Sequence, residues 1–194
     1  MKYLPAFAAL MLAGSAFAED GGKTTFAGIE VGGDFRLGEC PAMADTYARG
    51  VYDFASANLP CWADVAPGQH GPVKSGDLPR VMTGGTLPDG VGKVYVKVID
   101  GKVSYVDAWT DGFVHQESLY SALVAKFGPA ATVDRSKVKA GSGAEFERIS
   151  ARWEKPDVTF TSMVSSIDEG LIQVYSGDGY QKALDEAERK KGSF

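Results

Sequence analysis

The sequence predicts an α+β domain in which an antiparallel sheet of about five to six strands carries helices packed on one face. Three observations carry this expectation. Alternating apolar runs separated by turn dipeptides read as strands joined in hairpins. Three other stretches repeat apolar residues at helical spacing. No regular strand–helix–strand alternation, which would build a parallel sheet, occurs along the chain. The chain has 194 residues, a formal charge of −5 and 44% hydrophobic residues. That apolar share argues against general disorder. Lys and Arg are scattered, so the strongly basic face of a nucleic-acid binder is missing.

Residues 1–18 read as a secretory signal peptide. Lys2 supplies the positive start, Leu4 to Ala13 an apolar run, and Ala16-Phe17-Ala18 a small-x-small cleavage site. The run falls short of the ~20 apolar residues that span a bilayer. No cysteine stands where a lipoprotein would need one. Cleavage after Ala18 is expected to leave residues 19–194 as a single domain, periplasmic or secreted, with no transmembrane segment in the mature chain. In such an oxidising compartment Cys40 and Cys61 are expected to form a disulfide.

Thr24 to Val31 predicts a first strand with Phe26, Ile29 and Val31 inward, ended by Gly32-Gly33-Asp34. Met43, Tyr47, Val51 and Phe54 then recur at helical spacing. A straight helix over 41–57 would be about 25 Å long. The residues after it could return only about 14 Å, whereas disulfide Cα atoms lie within about 7 Å. The full helix and the Cys40–Cys61 bond therefore exclude each other. A shorter helix over 46–57, capped by Asp45, is compatible with the bond. Residues 67–92 include 11 Gly or Pro among 26 positions, which predicts a long loop with at most a short strand at Val81-Met82.

Lys93 to Asp107 gives the clearest local signal. Asp100-Gly101 suits a two-residue type I′ turn. That turn pairs Ile99 with Lys102, Val98 with Val103 and Val96 with Tyr105. Val94, Val96 and Val98 then face the core, and Lys97 and Ser104 face water. A helix is expected over 113–127, with Tyr120, Leu123, Val124 and Phe127 on one face and Gly128-Pro129 as its stop. Residues 130–143 read as a polar connector. Strands follow at 145–153, 157–164 and 171–175, turned at Pro156-Asp157 and at Asp168-Glu169-Gly170. A last helix over 179–191, capped by Asp178, closes the chain.

Several of these segments resemble a group of secreted bacterial proteins of unknown function. The residues concerned are Phe26-x-Gly28-Ile29-x-Val31-Gly32, Cys40-Pro41 with a second cysteine, Asp100-Gly101-Lys102-Val103, Leu123 to Pro129, and Trp153. The resemblance covers most of the mature chain. More distantly, the helix-plus-hairpin layout is similar to the small outer-membrane assembly lipoproteins and to the β-lactamase-inhibitor-protein fold. Those are binding modules that present a sheet or loops to a protein partner. The resemblance implies a role in the cell envelope and brings no catalytic residue.

The residues offer little chemistry of their own. The two histidines, His70 and His115, stand in no zinc-binding pattern, and no calcium loop is present. No cofactor is implied. Gly90-Val91-Gly92-Lys93 has the wrong spacing for a phosphate loop, and Val94 stands where magnesium needs Ser or Thr. The Gly-x-Ser-x-Gly elbow of α/β-hydrolases is absent. Two constellations remain. Ser136-x-x-Lys139 matches a motif in which lysine activates serine. Asp107, Trp109, Asp111, His115 and Glu117 crowd the junction between a strand and the 113–127 helix, where carboxylates near a histidine could serve acid–base catalysis. The plainer reading of that junction is a helix cap beside a half-buried tryptophan. Trp62 and Trp153 read as core, and Trp109 as a possible anchor for a partner. The sequence thus points to a non-enzymatic exported protein that binds an envelope protein, peptide or polymer. Its candidate surface is Trp109, Asp111, His115, Lys97 and Ser104, or the 67–92 loop. The alternative is a small secreted hydrolase using the Asp111–His115 region or Ser136–Lys139.

Overall fold

In chain order the strands are β1 (Thr24–Phe26), β2 (Ile29–Val31), β3 (Cys61–Ala63), β4 (Arg80–Met82), β5 (Val91–Ile99), β6 (Lys102–Thr110), β7 (Thr132–Lys139), β8 (Glu145–Glu154), β9 (Asp157–Thr161) and β10 (Gly170–Tyr175). A 3₁₀ turn, Gly112–His115, leads into the helix α1, Gln116–Phe127. This computed structural model describes residues 24–44, 50–64, 66–68, 71–83, 87–141, 143–177, 179 and 181. The expected signal peptide, His70 and nearly all of the expected 179–191 helix lie outside them.

β3 to β10 form one eight-stranded antiparallel sheet in the order β3-β4-β5-β6-β10-β9-β8-β7, and β1 and β2 form a separate hairpin. The large sheet is two four-stranded meanders, β3–β6 and β7–β10, joined where the last strand of each pairs with the other. Its inner face carries Val94, Val96, Val106, Ala108, Val158, Phe160, Ile149 and Trp153. The β1–β2 hairpin and α1 cover that face, contributing Phe26, Ile29, Val31, Leu119 and Leu123 to the same apolar cluster. Both of these additional elements thus lie on the inner face.

The expected fold class is therefore corrected: the protein is mainly β, with ten strands and one short helix among the described residues, not helices layered on a five- or six-stranded sheet. Three segments account for the difference. The expected connector 130–143 contains β7, which pairs with β8 over its whole length. Its side chains are mostly exposed, so it lacks the apolar alternation that marks a half-buried strand. Cross-strand ion pairs, Arg135–Glu147 at 2.8 Å and Lys139–Glu145 at 3.7 Å, stand in for apolar contacts.

Residues 50–57 of the expected 46–57 helix are not helical; 45–49 lie outside the described residues. Asp53 N–H donates to Pro41 O and Met43 N–H to Val51 O, so the chain doubles back as paired extended segments. The Cys40–Cys61 disulfide is formed, with Cα atoms 5.0 Å apart. The supposed apolar stripe is not buried: Met43, Val51 and Phe54 are all exposed. Thr24–Val31 is likewise two strands, because Ala27 and Gly28 both adopt positive φ (53° and 79°) and turn the chain.

The central hairpin forms at Asp100-Gly101, both with positive φ, and pairs Ile99 with Lys102 and Val98 with Val103 as expected. Beyond Val103 the register departs from expectation. Lys97 faces Tyr105, and Val96 faces Val106 instead of Tyr105. Ser104 is an extra residue, a β-bulge. Its cause is a change of neighbour along β6. Lys102 and Val103 are flanked by the incoming segment at Gly32–Asp34, whereas Tyr105 to Thr110 pair with β10. Ser104 O accepts the Ser176 N–H at the point of exchange.

Candidate functional site

The bulge determines which β6 side chains leave the core. After the extra residue, Val106, Ala108 and Thr110 point inward and are buried; by strand alternation, Asp107 and Trp109 point outward. A second irregularity at Gly92 bounds the regular pairing of Lys93–Lys97 with Tyr105–Trp109. Within it Lys93 lies opposite Trp109, and Tyr95 opposite Asp107. The cross-strand row continues through Gln173, Thr159 and Arg152.

Above this patch is an open cleft of about 550 Å³, lined among others by Tyr95, Trp109, Lys93, Asp107, Asp111 and Glu169. A neighbouring cleft of about 540 Å³ extends over Ala63, Asp64, Asp77 and Arg80. Leu78 and Tyr95 belong to both, so the two are continuous. Asp107 has an unusual setting. Gln173 Nε2 donates to its Oδ1 at 2.9 Å, and among the described residues no cation forms an ion pair with it. Burial pushes its carboxyl above the usual range, and the Gln173 hydrogen bond only partly opposes this. Thr110, at the end of the cleft, is 5% exposed, and its hydroxyl has no hydrogen-bond partner.

The sequence-based candidates divide. Trp109 and Asp111 line the cleft. His115 does not belong to its lining; it packs against Gly90, where a Cβ would come within 2.5 Å of the His115 Cβ and Cγ. Glu117 is drawn away by Arg135, at 2.6 Å, and that contact holds its carboxyl below the ordinary range. Lys97 Nζ donates to Gly76 O at 2.6 Å, which ties down the loop beside β5. Ser104 occupies the bulge and borders a different hollow, formed with Gly32 and Ser176. Ser136 and Lys139 stand three residues apart on a strand and so project to opposite sides. Ser136 Oγ accepts from Arg148, and Lys139 meets Glu145. Among the described residues no three or more His, Cys, Asp or Glu side chains are grouped to hold a metal ion.

Tyr95, Lys93, Gln173 and Glu169 were not among the sequence candidates. Tyr95 had a legible signal, since it alternates with Val94 and Val96. Gln173 and Glu169 become neighbours of the patch only through the β6–β10 pairing, which joins segments some sixty-six residues apart. No known protein family, curated protein or solved structure matches this chain.

Proposed function

We propose that the protein is an exported binding protein without catalytic activity, periplasmic or secreted, that recognises a protein or peptide of the cell envelope on the outward face of its sheet. One observation carries this reading: Tyr95 and Trp109 flank Asp107, half-buried and without an ion pair among the described residues, in an open cleft. Aromatic side chains beside a desolvated polar group are typical of interface anchors. The disulfide fits an oxidising compartment. Of the side chains that the hydrolase alternative would use, Ser136 and Lys139 engage Arg148 and Glu145, and His115 lies outside the cleft that Asp111 lines.

The test uses the full chain expressed with its leader. The processed protein is expected outside the cytoplasm, beginning at Glu19. A photo-cross-linking residue placed at Trp109 should yield a discrete adduct with an envelope protein or peptide. The same residue at Asp134, on exposed β7, should not. Equal adduct patterns from both positions would refute the assigned face.

A further inference from the structure

The composition of the cleft identifies the kind of partner, given the reading of the outward face as a peptide-binding surface. We propose that the cleft receives an arginine or lysine side chain of an extended peptide segment, with the Asp107 carboxylate as counter-ion and the Tyr95 and Trp109 rings as walls. Charge is the first argument. Four carboxylates line the cleft, Asp107, Asp111, Asp168 and Glu169, against the single cation Lys93. Asp107 is half-buried, and its hydrogen-bond partner is the neutral amide of Gln173. A half-buried carboxylate without a cation is a costly arrangement that an incoming ammonium or guanidinium would relieve.

Geometry is the second argument. Trp109 lies two residues along β6 from Asp107, and Tyr95 lies directly across from it on β5. A cation reaching Asp107 thus passes beside both aromatic side chains, which its apolar stem can lie against. A small neutral ligand would use the rings but not the excess of carboxylates.

The third argument concerns length. The neighbouring cleft holds Asp64 and Asp77 against Lys74 and Arg80 and has no net charge. The row Ala63, Arg80, Tyr95, Asp107 crosses four adjacent strands. At about 4.8 Å per strand that is roughly 14 Å, the span of about four extended residues. The site therefore fits one basic residue followed by an uncharged stretch.

The probe is a set of hexapeptide libraries, randomised except for one fixed central residue: arginine, lysine, norleucine or glutamate. Binding to the mature chain is read by tryptophan fluorescence and calorimetry. The arginine and lysine libraries are expected to bind about ten-fold more tightly than norleucine, and glutamate more weakly still. Asp107→Asn should abolish that preference, bringing the arginine and lysine libraries to the level of norleucine. If D107N does not fold by circular dichroism, D111N with E169Q takes its place, and the preference should shrink about three-fold or more. Equal binding of arginine and norleucine libraries, or an unchanged preference in the folded variant, would overturn the inference and leave peptide recognition standing. Failure of all four libraries, together with absent cross-linking at Trp109, would overturn both.

Discussion

The two meanders share one sheet but are held by different means. In the first, β3 and β4 are three residues long, too short to carry much apolar surface. The chain there is closed by Cys40–Cys61 and by hydrogen bonds from 38–40 to Trp62 along the β3 edge. In the second, β7 and β8 are eight and ten residues long, and α1 packs across them. Trp153 is the centre of that packing: it is 2% exposed, its ring meets Tyr120 and Phe127, and its Nε1–H donates to Gly128 O at 2.8 Å. A covalent tie offsets small strands in one half, and an aromatic cluster anchors long ones in the other. The cleft lies on the side of the first meander: β5 and β6 supply most of its lining, with Leu78 from the loop before β4 and Asp168 and Glu169 from the turn before β10.

The strongest way to break this comparison is Trp153→Ala. Loss of a buried aromatic and its hydrogen bond should cost about 3–5 kcal/mol in urea denaturation. Hydrogen exchange should show β7–β9 and α1 losing protection first. Removing the disulfide by paired Cys40→Ala and Cys61→Ala substitutions should cost about 3 kcal/mol, and exposure should be confined to β3, β4 and the 50–57 loop. Equal loss of protection across both meanders in either variant would show that they unfold as one unit.

Asp107→Asn sharpens the contrast between foundation and site. The native carboxyl is raised above its unfolded value by burial. The folded state therefore binds the proton more tightly, and stability falls as pH rises from the ordinary carboxylate range through the native value. The asparagine variant is expected to melt higher than the parent at neutral pH and to match it near pH ~3. A melting difference that grows on acidification would contradict this. The smallest effect is expected for Arg135→Gln. This exposed guanidinium joins Glu117 of α1 to Glu147 of β8, and its loss should shift the melting temperature by no more than about 2 °C.

Strands β5, β6, β8, β9 and β10 were legible because turn chemistry and apolar alternation agreed in each. So was α1, although its first turn is 3₁₀ and its deepest residues are Leu119 and Leu123. β7 was not, because charge pairs hold it where apolar alternation would normally mark a strand. The apolar stripe misled because residues at helical spacing, Met43, Val51 and Phe54 among them, also occur on an exposed, disulfide-closed segment. The site was half legible. Trp109 and Asp111 were identified, but Lys97 serves a backbone carbonyl and His115 packs on a glycine. The alternation pattern carried no trace of the extra residue at Ser104, so Tyr105 was assigned to the core.

That one serine has a consequence beyond its own position. Drawn as an unbroken ladder, the same sequence would swing every following β6 side chain through half a pleat, sending Asp107 and Trp109 into the oily interior and Val106 and Ala108 out to solvent. Deleting the serine in frame would instead leave Val103 and Tyr105 adjacent in a regular strand, with those faces unchanged. What the molecule must guard along β6 is the place where the extra peptide unit is absorbed.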